Sequence, residues 1–374
     1  MEIFNPAWIN ENTYSENYAP TPRSSFWSSG IGAFAIVSLL KIFGSIQSAE
    51  LYNYDLYHKF LPPSPPDSRV TVLGITEEDI IEFGWPLTDE TLSTAIENLQ
   101  LHEPSVIGLG LYRDVPRPPG SEALSKQLSA PNLVGIFNVG SSSNGTEVPS
   151  PPSIDESRLG FNDLPVDSDG IIRRSLIFVS GGDSKNDYYS FVLRVLATHR
   201  PNVFESISYD YNNLYLGDVA IKALTTKSGG YENIDSRGYQ ILLKYRNSDP
   251  AAEYLSLKEV LDSNFNPESI RGKMVLIGTN ARSLRDSFFT PYSPSGNPET
   301  SMSGVNIQAH MLSQLLDISE GNRAMIRYFP SWIEFFSVAV FFIFRFIFTL
   351  EDTFPKAFSF NSIFDYTYPL WGII

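Results

Sequence analysis

The stretch KMVLIGTNARSLRD, residues 273–286, decides how this chain folds. Its aliphatic first half is typical of a buried strand, and the glycine and polar residues after it predict a turn and the start of a helix. A second stretch, RVTVLGIT at residues 69–76, is also dominated by β-branched and aliphatic residues. Both stretches are therefore predicted to form strands in the core of one domain.

Strand and helix candidates alternate on either side of these two stretches. This alternation favours one α/β domain over residues 49–330, with a largely parallel or mixed sheet and flanking helices. The further candidates are strands at 105–112, 132–139, 171–179 and 239–246, helices at 88–101, 188–200 and 304–317, and a turn leading into a short helix at 254–263.

Composition excludes several classes of protein. The net charge of -15 argues against a nucleic-acid partner, because Lys and Arg supply most of the affinity for phosphates. The chain has no cysteine, which removes disulfides, thiolate metal sites and cysteine nucleophiles. A hydrophobic content of 42% is sufficient for a sizeable core.

Two apolar stretches flank the domain. In residues 24–46 the apolar side chains favour membrane insertion by roughly 3 to 6 kcal/mol, against at most about 3.5 kcal/mol for Lys41. Residues 332–350 are even more apolar. We predict a transmembrane helix at each stretch, with a polar tail at 1–23 and another tail at 351–374. For the first stretch, a buried amphipathic helix is the alternative.

Two loops are predicted from composition. The stretch LPPSPPDS, residues 61–68, indicates a stiff, polyproline-like spacer between the membrane and the domain. The stretch GSSSNGTEVPSPPS, residues 140–153, is typical of a surface loop.

The stretch DLPVDSDGIIRR, residues 163–174, combines acids, a glycine and two arginines. It does not fit an EF-hand, because the first and twelfth loop positions would fall on Pro165 and Leu176. An Asp-Gly pair before a hydrophobic strand favours a turn. A turn, a metal site of another kind, and an ion pair between the acids and the arginines all remain open.

Motifs of catalysis are missing. The sequence RGKM lacks the spacing of a phosphate-binding loop, and GLGLYR offers only the first two glycines of a dinucleotide fingerprint. The chain has 4 histidines, which lie far apart and without metalloprotease spacing. We therefore expect no catalytic residue, no metal ion and no cofactor.

Five blocks, in this order, resemble the CHASE type 2 family, the cyclase/histidine-kinase-associated sensory extracellular domains. The most specific of them are the D-x-D-G-x-x-R-R pattern at 167–174 and the later block that runs from GKMVLIG to TPY. The blocks are YNYDLYHKFLPPSPPDSRVTVLGITEEDI (52–80), EFGWPLTDETLSTAIENLQLHEPSVIGLGLYRD (82–114), LGFNDLPVDSDGIIRRS (159–175), IRGKMVLIGTNARSLRDSFFTPYS (270–293) and SGVNIQAHMLSQLL (303–316).

The resemblance implies an extracytoplasmic sensory domain that membrane helices hold at the plasma or inner membrane. Its implied partners are the lipid bilayer, a small-molecule or peptide ligand, a second copy of the chain, and a histidine kinase, serine/threonine kinase or nucleotide cyclase. Members generally continue into an output domain, whereas this chain ends at Ile374. A scaffold without output, a truncated remnant and, third, an extracytoplasmic hydrolase are the alternatives.

The family motifs also supply candidate ligand-binding residues, although buried Asp–Arg pairs that lock loops explain the same residues. Gly110 stands where the family strand often carries Asp, and the order Gln308-Ala309-His310 replaces a more usual His-Ala order. A ligand role is therefore not carried over to Gly110 or Gln308. The candidates are Asp167, Asp169, Arg173, Arg174, Asp286 and Thr290.

Overall fold

The structure is a computed structural model that describes most of residues 23–343. The residues outside its description are 1–22, 63, 139–148, 181–186, 206, 210–212, 217–218, 247–249, 294–296, 323–324, 329–331, 334–335, 338, 342 and 344–374. The helices are α1 (Arg23–Ile42), α2 (Gln47–Phe60), α3 (Glu77–Phe83), α4 (Asp89–Gln100), α5 (Ser121–Leu128), α6 (Phe191–His199), α7 (Pro201–Glu205), α8 (Leu257–Leu261) and α9 (Gly304–Ser319). The strands are β1 (Asp67–Ile75), β2 (Val106–Leu109), β3 (Leu133–Phe137), β4 (Leu159–Phe161), β5 (Arg174–Val179), β6 (Tyr188–Tyr189), β7 (Ser208–Tyr209), β8 (Asn213–Leu216), β9 (Val219–Lys222), β10 (Tyr239–Leu242), β11 (Ala252–Ser256), β12 (Met274–Thr279), β13 (Ser287–Phe288) and β14 (Met302–Ser303).

A parallel sheet forms the centre of the domain. Within the described residues it has six strands in the order β11-β1-β12-β2-β3-β4, and every neighbouring pair is parallel. The two aliphatic stretches that decide the fold lie side by side as β1 and β12, with Val72 opposite Leu276. All of β12 is buried, as expected for a strand covered on both faces. The predicted α/β class with a largely parallel sheet is confirmed.

Helices cover both faces of this sheet. On one face, α4 packs through Leu92, Ile96 and Leu99 against a core that includes side chains of α5 and α8. The helix predicted at 88–101 is thus confirmed, and the Thr88 hydroxyl caps it by accepting a hydrogen bond from the Thr91 N–H at 3.2 Å. On the other face, α6 and α9 form the second core, in which nearly all of α9 is buried.

Smaller antiparallel sheets extend the second core. Strands β10, β5 and β6 form one of them, and β7, β8 and β9 form another. Strand β5 begins at Arg174, four residues after Gly170 of the D-x-D-G stretch, and pairs with β10. The acidic loop therefore leads into the central strand of the β10-β5-β6 sheet.

Helix α2 belongs to the domain, which corrects the predicted role of residues 61–68. Leu51 and Tyr54 of α2 are buried in a small cluster with Leu224, Tyr231 and Leu242. The proline-rich segment therefore connects two packed elements, α2 and β1, and is not a spacer between the membrane and the domain. A polyproline stretch is stiff in either setting, so composition alone did not distinguish the two.

Three predicted boundaries are wrong. Residues 252–256 form the edge strand β11 in place of part of the predicted turn, since their backbone pairs with β1. The helix predicted after β12 is only a 3₁₀ turn, Arg282–Leu284, before β13 begins. Helix α6 starts at Phe191, because Ser190 caps it and the two preceding tyrosines form β6.

The apolar stretch at 24–46 does not form one unbroken helix, because α1 ends at Ile42. In the described part of the chain, no single helix is both long and apolar enough to cross a bilayer; Phe34–Ile42 and Gln47–Phe60 satisfy length and composition as a pair, bent by 82°. The predicted span at 332–350 and the loop at 140–153 lie largely outside the described residues, as do both tails. Membrane anchoring remains a prediction.

The close packing of β4 against α6 makes a testable prediction. A methyl group at Gly160 would lie 2.5 Å from the Phe191 Cα, and neither backbone can easily move. We expect Gly160→Ala to lower the free energy of unfolding by about 1–3 kcal/mol, measured by urea denaturation. Gly32→Ala, where the new methyl meets nothing within 4 Å, is the matched control. Equal midpoints for the two variants would contradict the packing.

Candidate functional site

The acidic stretch folds as a tight turn. The Gly170 N–H donates to the Asp167 carbonyl oxygen at 2.8 Å, and the Asp167 N–H donates to the Ile171 carbonyl oxygen at 3.0 Å. Gly170 has a φ of 84°, a left-handed conformation that glycine adopts without a steric penalty. The turn expected from the Asp-Gly pair is therefore present, and it directs two aspartates toward the following arginines.

Arg173 lies at the centre of a buried ion network. Its guanidinium donates from Nε and Nη2 to the two carboxylate oxygens of Asp55, at 2.7 and 2.8 Å. It donates from Nη1 to Asp167 at 2.9 Å, and from Nη1 and Nη2 to Asp169 at 3.0 and 2.8 Å. Since an arginine side chain has five N–H donors, three carboxylates satisfy all of them. The side chain is 2% exposed.

Arg174 extends the network on the other side of Asp167. Its Nε and Nη2 donate to Asp167 Oδ1 at 2.9 and 2.8 Å, and its Nη1 donates to the Gln240 side-chain oxygen. The Tyr231 hydroxyl donates to Asp167 Oδ2 at 2.7 Å, and the Arg174 guanidinium lies over the Tyr231 ring at 5.3 Å. Asp167 therefore joins the two arginines.

Burial and charge act against each other in this network. Burial alone would lower the pKa of Arg173, but the carboxylates, with Asp55 foremost, raise it above its ordinary value. Burial likewise acts to raise the pKa of Asp169, yet the Arg173 hydrogen bonds and charge leave it lowered. Burial and the Asp167 charge together raise the pKa of Tyr231 well above 10.0. Asp169 and Arg173 are thus held in their charged forms and the Tyr231 phenol in its neutral form.

Tyrosines hold the backbone of the arginine strand in place. The Tyr54 hydroxyl donates to the carbonyl oxygens of Arg173, at 3.2 Å, and of Leu243. The Tyr245 hydroxyl donates to the Ile172 carbonyl oxygen at 2.9 Å. Both tyrosines are buried, so these bonds satisfy phenol groups that would otherwise be costly to bury.

Four of the six candidate residues thus meet in one network, and the sequence prediction missed Asp55 and Tyr231. Asp55 lies on the buried side of α2 together with Leu51, Tyr54 and His58. An acid within a helical stripe of otherwise buried positions is a signal that could have identified Asp55. Tyr231 lies in a loop, where no pattern indicated its role.

The other two candidates lie apart from this network. The Thr290 side chain is fully buried and its hydroxyl accepts a hydrogen bond from the Tyr292 N–H at 3.3 Å, so it stabilises a turn. Asp286 accepts a hydrogen bond from the Thr279 hydroxyl at 2.8 Å and lines a cavity. Burial raises the pKa of Asp286, and the Thr279 hydrogen bond opposes this effect.

The cavity lies where the parallel strands end. It has a volume of about 200 Å³, and side chains following β3, β4 and β12 meet the first turns of α9 around it. The carboxyl edge of a parallel sheet is the usual place for a ligand in an α/β domain. The lining residues are Asn138, Asn162, Asp163, Leu164, Asp286, Phe288, Gly304 and Gln308.

Metal binding at the acidic loop, one of the alternatives, has no support in this arrangement. The carboxylates of Asp55, Asp167 and Asp169 all point at one guanidinium. In the described part of the chain, no three or more His, Cys, Asp or Glu side chains are placed to share a metal ion. The loop is therefore an ion-paired clamp on Arg173.

The network predicts unequal roles for its acids. Asp55 makes two bonds to Arg173 from a side chain that is 9% exposed, whereas the Asp169 side chain is 46% exposed. We expect Asp55→Asn to lower the thermal midpoint by several degrees more than Asp169→Asn, because water compensates for the more exposed acid. Thermal unfolding of the two variants measures this, and an equal or reversed ranking would contradict the geometry.

Comparison with protein-family models gives a match. A family model described as the CHASE2 domain matches residues 32–347 of this chain. No curated protein and no solved structure matches it. The matched residues contain the ion network, the cavity and helix α2.

Proposed function

Because the chain belongs to the CHASE2 family of sensory domains found in signalling proteins, we propose that it is the membrane-anchored input module of such a protein. In this proposal the α/β domain lies on the extracytoplasmic side of the cell membrane. Ligand binding to the domain changes how its flanking helices are held, and these helices pass the change to a histidine kinase, serine/threonine kinase or nucleotide cyclase.

The observation that carries the proposal is the clamp between α2 and the arginine motif. Asp55 of α2 is bound at both carboxylate oxygens by Arg173, which lies 118 residues further along the chain. Helix α2 directly follows α1, and the Lys41 ammonium donates to the Glu50 carboxylate at 2.6 Å across the bend between them. A change at the motif therefore has a direct mechanical route to α1.

Both ends of the domain pack at one place, which also supports the proposal. The cluster that buries Leu51 and Tyr54 of α2 also contacts Ile326 and Tyr328, which follow α9. The Tyr328 hydroxyl donates to the Ala223 carbonyl oxygen at 3.2 Å. A rearrangement of this cluster would move the segments before and after the domain together.

The surface of α1 supports an anchoring role. In the described part of α1, four large apolar side chains are exposed, and Phe43 beyond its end is 77% exposed. Contiguous apolar surface of this kind is unfavourable in water and favourable in lipid. The exposed side chains are Ile36, Leu39, Leu40 and Ile42.

The proposed mechanism is a shift between two packing states of α2. A ligand changes this equilibrium only if it binds one state more tightly than the other. A buried clamp that is either closed or broken provides two discrete states. In this proposal a homodimer of α1 helices carries the signal across the membrane. The ion network is thus a latch, not a catalytic site.

Labelling of single introduced cysteines tests on which side of the membrane each part of the chain lies. The natural chain has no cysteine that could react in place of the introduced one. We expect Asn144→Cys to react with a membrane-impermeant maleimide on intact cells. Ser15→Cys, in the tail before the first apolar stretch, serves as the control and should react only after lysis. Labelling of Asn144→Cys only after lysis would overturn the proposed orientation, and extraction of the chain by carbonate would overturn the anchoring.

A further inference from the structure

His58 lies on the buried face of α2, in the helix that the latch holds against the domain. Its side chain is fully buried, and neither Nδ1 nor Nε2 has a hydrogen-bond partner among the described residues. Burying a polar group without a hydrogen bond costs free energy, and burying it in a charged form costs much more. This ring is therefore held in place only as long as it stays neutral.

The rings around His58 are tyrosines whose hydroxyls are bonded elsewhere. Between ring centroids, Tyr54 lies 4.7 Å away, Tyr57 5.4 Å, Tyr245 5.7 Å and Tyr292 6.2 Å. The hydroxyls of Tyr54, Tyr245 and Tyr292 each donate to a backbone carbonyl oxygen. A protonated His58 would thus bring two N–H donors into a site where these three hydroxyls already have other partners.

The charged groups near His58 also favour its neutral form. Burial and, second, the charge of Lys244 in the segment after β10 lower the pKa of His58 from 6.5 to about 3. On α9, His310 is close enough for a charge on His58 to lower its pKa as well. The carboxylate on the same face of α2, Asp55, is already bound at both oxygens by Arg173.

The position of His58 couples it to the latch. It follows Asp55 by three residues, and side chains at this spacing lie on the same face of a helix. Tyr245, one of the rings around His58, donates its hydroxyl to the carbonyl oxygen of Ile172, the residue before Arg173. Movement of the His58 ring out of this site therefore moves the helix face that carries Asp55.

We propose that His58 makes the latch respond to acid, because its ring takes up a proton when α2 opens and cannot return to the buried site in the charged form. A proton from the surrounding medium binds Nδ1 or Nε2 of the exposed ring, and acidification thereby releases α2 from the arginine motif. The inference rests on the proposed sensory function and names the proton as a stimulus of the same latch.

Proton binding shifts the latch in one direction. In the closed state the pKa of His58 is about 3, and in the open helix it returns to the ordinary 6.5. Below about pH 6.5 the open state therefore binds more protons than the closed state. From these two pKa values, the ratio of open to closed helix rises by about 30-fold between pH 7.5 and pH 5.

Other titrating groups near the latch do not give this response. Against burial, the hydrogen bonds and charge of Arg173 lower the pKa of Asp169 below 3.8, so this acid stays charged at pH 5. Burial raises the pKa of Tyr231 well above 10.0, so this phenol stays neutral. His310 belongs to α9, which stays packed in the proposed open state, and its Nδ1 accepts a hydrogen bond from the Arg246 N–H at 3.2 Å.

Hydrogen exchange of the full-length chain at pH 7.5 and at pH 5 tests the proposal. The rates are expressed as protection factors, which remove the intrinsic pH dependence of exchange. We expect the protection of residues 47–60 to fall by about 30-fold between the two pH values. At pH 5 the protection of α2 should lie below that of the central strand β12, because α2 opens while the domain stays folded.

Variants locate the response at one ring. His58→Phe fills the aromatic site with a ring that does not titrate, and it should lose most of the fall in protection. His58→Gln is a second variant without a titrating group, in case His58→Phe does not fold, and protection of β12 shows that a variant is folded. His102→Gln removes a histidine that packs against Phe265 and should keep the full response.

Unchanged protection of α2 at pH 5, equal protection of α2 and β12 at pH 5, or a fall that persists in full in a folded variant of His58 would each overturn the proposal. The readout needs neither a membrane nor an output domain. A cytosolic location of the domain would therefore overturn the proposed function and leave the acid response standing, whereas a missing acid response would leave the proposed function with another stimulus.

Discussion

Arg173→Met is expected to lower the free energy of unfolding by about 3–5 kcal/mol, the loss typical of removing one partner from a buried ion network. The guanidinium satisfies Asp55, Asp167 and Asp169 with all five of its donors. Methionine matches much of the length of the side chain but leaves two buried carboxylates without this partner. Urea denaturation of the full-length chain measures the change.

A matched control separates burial from charge. Arg237 also pairs with an aspartate, Asp235, at 2.6 Å, but its side chain is 84% exposed. Arg237→Met should therefore leave the urea midpoint nearly unchanged, because water and salt screen such a pair. If the two variants lose similar stability, the ion network does not hold the domain together as described.

The second large effect is a loss of stability in mild acid, caused by buried histidines. His58 of α2 is fully buried among the rings of Tyr54, Tyr245 and Tyr292, and neither of its ring nitrogens has a hydrogen-bond partner among the described residues. His310 lies 5.0 Å from the Tyr245 ring, between ring centroids. Burial lowers the pKa of each histidine from 6.5 to about 3.

The direction of the pH effect follows from proton binding. Between about pH 6.5 and pH 3, the unfolded chain protonates His58 and His310 while the folded chain does not. The unfolded state therefore binds more protons, and the free energy of unfolding falls as the pH falls, by up to about 1.4 kcal/mol per pH unit for each histidine. Above pH 6.5 this loss is absent.

Urea denaturation at pH 6.5 and at pH 5 measures this effect. Asp67, whose pKa is lowered from 3.8 to about 2 despite its burial, by hydrogen bonds from Arg69 and Ser313, contributes only below this range. His58→Phe should reduce the pH dependence and leave the contribution of His310, because a phenyl ring fits an aromatic site and does not titrate. Tyr292→Phe should leave the dependence unchanged, since burial raises the pKa of Tyr292 to about 12.

A pH dependence that is identical in His58→Phe and in the natural chain would contradict the burial of His58. Because His58 and Asp55 lie on the same face of α2, acid would also weaken the attachment of this helix. The latch proposed for signalling is therefore expected to be less stable in acid than near neutral pH.

The sequence predicts the parts of the fold that depend on local patterns. Strands β1 and β12 are rich in aliphatic and β-branched residues, and α4 repeats its apolar residues at helical spacing. The edge strand β11 was missed, because it pairs only with β1 and two of its five residues are buried. A short, half-buried strand before a helix has no long apolar run to identify it.

The candidate site was predicted only in part for a similar reason. Asp167, Arg173 and Arg174 stand within one short stretch, so a motif identifies them together. Asp55 reaches Arg173 across 118 residues, and only the packing of α2 brings the two together. The cavity is likewise assembled from the ends of separate strands, which no linear pattern records.

Hydrogen exchange of the α2 backbone amides tests most directly whether the arginine motif latches this helix to the domain. In the full-length chain, Asp55→Asn should increase exchange over residues 47–60 while the central strand β12 stays protected. Unchanged protection of α2, or a loss of protection that is equal in α2 and β12, would contradict the claim that Asp55 and Arg173 form a latch that opens on its own.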